Sequence, residues 1–195
     1  MKKLAIIIAL LIIALPLFGQ TSSPSQWSIG VGAEGGVPVG DFNTVSNFGI
    51  GGLAFVGYNG FDPAFQLTLT SGYMNFSGKD VSDPFTGGTI NTKMGVIPIV
   101  LGGKYYFMPG DTRVYGQANV GLYVLTASAS ETVSDVSVSA STNTSKFGVS
   151  PILGAQFKAG DKMWVDAHAN YTAVFTEGST TSWVGFGVGL VFDLQ

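Results

Sequence analysis

The chain contains no cysteine, which excludes a disulfide scaffold and a lipid anchor carried on an N-terminal cysteine. Charge is scarce. Asp, Glu, Lys and Arg together make up 11% of the 195 residues, less than half the ~25% of an average soluble domain. Positive charge is scarcer still. Only 9 residues are basic against 12 acidic, and no Lys/Arg cluster forms, so nucleic acid is excluded as a partner. Histidine occurs once, as His168. Beyond residue 20 no run of eighteen apolar residues exists, so no transmembrane helix can be drawn there.

What is abundant is glycine, 28 residues, in a chain that is 46% hydrophobic and 12% aromatic. The first twenty residues, MKKLAIIIALLIIALPLFGQ, read as a secretory signal peptide. Lys2 and Lys3 form its positive start, Leu4 to Leu15 its apolar centre, and Pro16 and Gly19 precede a cleavage point near Gln20. Removing 1–20 leaves one domain, 21–195, with 7 basic and 12 acidic residues and a net charge of −5. A secreted chain poor in charge, rich in aromatics and lacking a spanning helix points to strands in a membrane.

Alternation of period two recurs eight times, the signal of strands. The stretches are 27–34, 48–58, 65–73, 95–107, 113–124, 147–158, 163–175 and 183–195. In the last, Val184, Phe186, Val188, Leu190, Phe192 and Leu194 alternate with Trp183, Gly185, Gly187, Gly189, Val191 and Asp193. Leu53 and Phe55 blur the register of the second stretch, and Pro98 in the fourth calls for a bulge or a locally unpaired segment. Short turns at 59–64, 108–112 and 159–162 are built from Gly, Pro, Asp and Asn. They alternate with longer connections at 35–47, 77–93, 126–146 and 176–182. The run ETVSDVSVSASTNTS in the third of these is able to extend its hairpin beyond the main sheet. The pattern is that of an all-β, eight-stranded antiparallel up-and-down barrel.

Such a barrel closes in either of two solvents. In water the polar row would face out and carry many Lys and Glu. Here that row carries Gly, Ser, Thr, Asn and Gln, with a few charges at Glu34, Lys104, Arg113, Lys158, Asp166 and Asp193. The apolar row carries none, as hydrocarbon demands, since a Lys or Arg at the midplane costs about 2–4 kcal/mol. The barrel is therefore expected to be transmembrane, with the apolar row facing lipid. Glu34, Lys104, Arg113, Gln117, Asn119, Lys158, Asp166 and His168 are expected to form a buried polar and ion-pair network in a packed bore. Gly185, Gly187 and Gly189 are expected to make room for large inward groups such as Trp164, Tyr115 or Tyr123. Trp27, Tyr58, Phe65, Tyr73, Phe107, Tyr171, Phe175 and Phe192 fall near strand ends, where aromatic girdles belong.

Three segments carry a family resemblance: GVPVGDF (36–42), VIPIVLGGKYYF (96–107) and the closing GVGLVFDL (187–194). With them the chain resembles the small eight-stranded outer-membrane β-barrels of Gram-negative bacteria, the OmpA-like, OmpX-like and PorT-like barrel domains. The resemblance implies residence in the bacterial outer membrane and insertion by the barrel assembly machinery. It also implies contact with outer-membrane lipids and lipopolysaccharide. Gly189, Phe192 and Leu194 are similar to the C-terminal assembly signal of such barrels, although Gln195 replaces the usual terminal aromatic.

Motifs for chemistry are few. His168 has only Asp166 and Asn170 beside it by parity, a weak metal-ligand set, and it is read as a hydrogen-bonded bore histidine. As the one candidate base of a lipid hydrolase it points inward, away from lipid. The glycine-rich GIGGLAFVG (49–57) precedes no helix, so it offers no phosphate cradle. No catalytic residue, metal or cofactor is expected. The long connections hold Asp41, Asp80, Asp83, Glu131, Asp135 and Glu177 against Lys79, Lys93 and Lys146, a net of −3. The expected role is non-enzymatic and monomeric: envelope integrity, or interaction with an extracellular partner through these loops. The alternatives are a narrow channel for small or apolar solutes, a secreted soluble lipocalin-like lipid-binding barrel, and an outer-membrane lipid enzyme using His168.

Overall fold

The computed structural model describes residues 26–79, 81–82, 89–108, 110–133 and 136–194; the expected signal peptide at 1–20 lies outside them. Eight long strands form the wall: β1 (Trp27–Val39), β2 (Ser46–Asp62), β3 (Phe65–Gly78), β5 (Thr89–Tyr106), β6 (Thr112–Val133), β7 (Val136–Lys158), β8 (Met163–Thr176) and β9 (Ser179–Leu194). The two-residue β4 (Val81–Ser82) adds a short ladder to the start of β5. A four-residue helix, α1 (Phe42–Val45), sits between β1 and β2. Every wall strand pairs antiparallel with its sequence neighbour. The ring closes where β1 meets β9, from Trp27↔Leu194 to Val39↔Ser182. Closure leaves the membrane-level wall without a free edge, as backbone in hydrocarbon requires.

Side-chain parity follows the alternation along the whole wall. Ile50, Leu101, Leu153 and Val188 are each more than 60% exposed, while Glu34, Lys104 and Asp166 on the opposite face are at most 5% exposed. The outward positions of 27–37, 48–58, 65–75, 95–105, 114–124, 147–157, 163–175 and 184–194 hold no charged residue. This arrangement overturns the soluble lipocalin-like alternative, in which the large apolar row would be the buried one. Leu53 and Phe55 turn inward while Ile50, Ala54 and Val56 face out, which settles the register of β2.

Two strand prolines, Pro98 and Pro151, sit where a ladder lapses. Pro98 pairs with Tyr123 of β6, but the β3–β5 ladder stops at Ser71↔Ile99 and resumes in the same register at Met74↔Val96. There is no bulge; the missing N–H simply leaves a gap. Pro151 marks a second gap, in the β7–β8 ladder between Val149↔Ala173 and Ile152↔Asn170.

The connections at one end are shorter than expected. The 35–47 connection shrinks to residues 40–45, most of it α1, and 176–182 shrinks to the two-residue turn Glu177–Gly178, with Gly178 at φ +79°. The 126–146 connection extends its hairpin, as its Ser/Thr/Val run allowed, with the ladder paired from Thr126↔Asn143 to Val133↔Val136. At 22 and 23 residues, β6 and β7 far exceed the ~9–11 needed to span. Pairing of β7 with β8 goes no further than Gly148↔Val174, so the rest of this hairpin stands above the barrel rim.

Candidate functional site in the bore

The bore has two halves of different chemistry. At the short-turn end, the Arg113 guanidinium carbon stacks 3.6 Å from the Trp164 ring centroid, and Trp164 Nε1 donates to Asp193 Oδ2 at 3.0 Å. One layer up, Gln66 Nε2 donates to Ser28 Oγ at 3.0 Å. The Tyr106 hydroxyl lies 3.4 and 3.3 Å from the side-chain oxygens of Gln66 and Gln156. Gln156 Nε2 then donates to Asp166 Oδ2 at 3.1 Å.

Asp166 is the hub. It accepts from the Tyr115 hydroxyl at 2.9 Å and lies 2.7 Å from His168 Nδ1. His168 Nε2 is 3.8 Å from Glu34 Oε2, and Glu34 Oε1 accepts from Asn170 Nδ2 at 2.8 Å. Gln117 Nε2 donates to Asn119 Oδ1 at 2.7 Å and reaches Thr68 Oγ1 at 3.2 Å. Ser150 and Thr172, at the gap beside Pro151, join their hydroxyls at 2.8 Å.

Three expectations need correction. Lys158 does not enter the bore: at the end of β7 it is exposed, 3.8 Å from Asp111 on the neighbouring turn, because the wall has ended there. Among the described residues, Lys104 and Arg113 form no close ion pair with a bore carboxylate, although Asp166 and Asp193 attract them at longer range. Lys104 Nζ sits 4.5 Å from the Phe55 ring centroid and 4.4 Å from that of Tyr115, and Arg113 stacks on Trp164. Aromatic faces take the place of ion pairs, a geometry worth ~2 kcal/mol or more when desolvated. The glycines of β9 do not receive tyrosines either. Gly187 receives the His168 ring, and Gly185 receives Asn170 and Glu34; the tyrosine Tyr115 lies over Gly154, and Tyr123 over Gly148.

At the loop end the bore is apolar, contrary to the expectation of a polar bore throughout. Phe76 is completely buried, 5.3 Å from Trp183 and 5.1 Å from Phe42, ring to ring. Met74, Val96 and Val174 complete the plug. Phe42 belongs to α1, which folds down over the mouth, held by Lys79 Nζ donating to the Asn43 carbonyl. The inward side of Gly49 leaves the space that Phe76 fills. The sequence signal was available: Phe76 has the same parity as Met74, three residues past the expected end of its strand. Between plug and polar network lies a cavity of about 80 Å³.

The girdle candidates fall in two bands. Trp27 and Tyr58 touch at 4.7 Å near the chain ends, with Phe107 against Tyr105 at 5.7 Å. Tyr73, Tyr171 and Phe175 are outward and about half exposed on the loop side. Phe192 and Leu194 lie on the outer face of β9, paired with Ile29 and Trp27 of β1.

Solved structures share this fold. The chain is similar to Neisserial surface protein A (TM-score 0.57, 11% identity, covering 89% of this chain and 100% of that one). It is similar to OprG of Pseudomonas aeruginosa (0.56, 12%, 87% and 96%) and to the attachment invasion locus protein Ail of Yersinia pestis (0.54, 16%, 87% and 99%). No curated protein matches the sequence. A family model, the outer membrane protein beta-barrel domain, matches residues 5–192. The chain belongs to that family and is an integral β-barrel of the bacterial outer membrane.

Proposed function

We propose that the protein is a closed, non-enzymatic monomeric barrel that supports the envelope and meets external partners through its loop-side rim. The observation that carries this reading is the double obstruction of the bore. The apolar plug of Phe42, Phe76 and Trp183 lies above the hydrogen-bonded layer of Tyr106, Gln156, Tyr115 and Asp166. Among the described residues these two layers cross the bore one above the other, which speaks against the narrow-channel alternative. His168 supports the non-enzymatic reading: its two ring nitrogens face the carboxylates of Asp166 and Glu34 inside the bore, away from lipid. The outward Phe192 and Leu194, two residues apart on the closing strand, suit recognition by the assembly machinery.

The rim is the remaining surface. Ail is known in complex with the heparin analogue sucrose octasulfate. The net charge of −3 on the connections of the present chain opposes a sulfated sugar, so its rim suits a neutral or cationic partner. Planar-bilayer recording of the refolded protein tests closure. The expected trace has no discrete open steps in the wild type and gains them in a Phe76→Ala/Trp183→Ala double variant. Discrete steps in the wild type would establish the channel instead.

A further inference from the structure

Above the barrel rim the wall continues as a sheet of β4, β5, β6 and β7, and its two edges differ. The β5 edge is covered: β3 pairs with it as far as Ser77↔Lys93, and β4 takes over at Ile90 and Thr89. The β7 edge is bare. Its pairing with β8 stops at Gly148↔Val174, and among the described residues no strand pairs with the β8 side of 136–147. At ~3.4 Å per residue that stretch is an open ladder of about 40 Å. Odd-numbered residues of β7 turn their backbone N–H and C=O groups to this side. The gap at Pro151, which has no N–H to give, falls in the β7–β8 ladder, and the β6–β7 register runs unbroken from there to Val136. The open groups are therefore those of Ser137, Ser139, Ser141, Asn143 and Ser145. Edge strands are ordinarily guarded by Lys, Pro, a bulge or a cover. From 136 to 145 the sequence has no charged residue, no proline and no glycine, and the ladder with β6 has no bulge. Lys146, at the base, is spent on Glu177.

We propose that this edge is a homotypic docking site, taken by the β7 edge of a second copy of this chain in an opposing membrane. The proposal rests on the reading of the loop-side rim as the surface that meets partners, and it names the partner. The strand matches itself. By parity Val136, Val138, Ala140, Thr142 and Thr144 form one row, and the serines between them, with Asn143, form the other. Residues directly opposite in an antiparallel pair share a face. A two-fold joint centred on Ser141 sets 139 against 143 and 140 against 142, so each row meets its own kind, and no like charges are brought together. The same patch serves both partners, as an isologous contact requires. Symmetry also fixes the orientation. Antiparallel strands are related by an axis perpendicular to them, and that axis turns the second barrel end for end. Two copies in one membrane, related by an axis along the membrane normal, present their β7 edges to each other parallel instead. The joint therefore runs rim to rim between facing membranes and leaves each barrel a single chain in its own.

Sedimentation velocity of the refolded full barrel in detergent, where two molecules are free to meet rim to rim, tests the joint. The wild type is expected to show a dimer that grows with concentration. Ser141 is exposed and stands above the paired wall, so a charge there leaves the barrel intact, as a heat-modifiability gel verifies. Ser141→Lys and Ser141→Glu should each lose the dimer at the same loading, because like charges then lie directly opposite. An equimolar mixture of the two should recover it. If either variant fails to fold, a synthetic peptide of residues 136–147 in excess over the wild type takes its place and should dissolve the dimer. A wild type that stays monomeric overturns the proposal. So does a dimer that survives either charge or the peptide, or a mixture of the two charge variants that stays monomeric. Peptide bound by a monomeric wild type overturns it too, and assigns the edge to a foreign strand while the rim remains the partner surface. None of these results bears on bore conductance, so the closed-barrel reading stands or falls separately.

Discussion

Phe76 of β3 and Trp183 of β9 meet across the bore with ring centroids 5.3 Å apart, although their strands are not neighbours in the wall. The contact ties opposite sides of the cylinder and closes its loop end. Truncating Phe76 to Ala is expected to destabilise the barrel by about 3–5 kcal/mol, the range for burying and then deleting a large aromatic. A denaturant-midpoint shift in folded-band gels measures it. The same change on the outer wall, Phe186→Ala, removes a side chain already 57% exposed in the bare structure and facing lipid, and should cost far less.

Glycines on the inner face differ sharply in the space they guard. A Cβ on Gly187 would run into the His168 ring, and one on Gly154 into the Tyr115 ring. Gly187→Ala and Gly154→Ala should each destabilise by about 1–3 kcal/mol through overpacking. Gly52, on the lipid side, has its nearest neighbour at 3.5 Å, the carbonyl oxygen of Gly32. Gly52→Ala should leave the midpoint within about 0.5 kcal/mol of wild type.

The legible part of this molecule was the part that sits in hydrocarbon. A two-residue period survives wherever one face must be apolar, so strands, parity and closure could all be read from alternation. Above the bilayer neither face is constrained in that way, so the Ser/Thr/Val composition of ETVSDVSVSASTNTS allows a longer hairpin without fixing how far its ladder runs, which is to Val133↔Val136. The bore was legible in composition but not in partners. Glu34 and Asn170 are 136 residues apart, and the barrel's stagger, which no local pattern reports, decides that they touch. Stagger likewise sends Lys104 to aromatic rings rather than to a carboxylate. The plug was hidden for a different reason: its apolar residues lie on the face otherwise reserved for polar ones.

Charge placed on the outer wall should be penalised by depth. Val188→Arg, near the middle of β9, is expected to destabilise by about 2–4 kcal/mol, whereas a rim change such as Ser145→Arg should fall near 0–1 kcal/mol. Refolding into vesicles followed by denaturant titration compares them. Equal penalties at the two positions would contradict the assignment of the exposed row to lipid.

At the rim, Lys146 Nζ donates to Glu177 Oε1 at 2.9 Å across the β7–β8 boundary. That hydrogen bond and the neighbouring positive charge hold the Glu177 carboxyl below the usual carboxylate range. A carboxyl depressed in the folded state stabilises it above the ordinary Glu value and loses that contribution as pH falls through the depressed one. Glu177 is fully exposed, so the contribution is small and screened by salt. An NMR titration should show the Glu177 pKa returning upward in Lys146→Ala.

The most direct test is of which face meets lipid. Because the chain has no cysteine, single cysteines at Leu101, Val120, Leu153 and Val188 can each carry a spin label without background. In a reconstituted bilayer, labels at all four should collide readily with oxygen and be shielded from a water-soluble nickel complex. Collision with the nickel complex and shielding from oxygen at these sites would mean that the exposed apolar row faces water, and the membrane barrel would have to be given up.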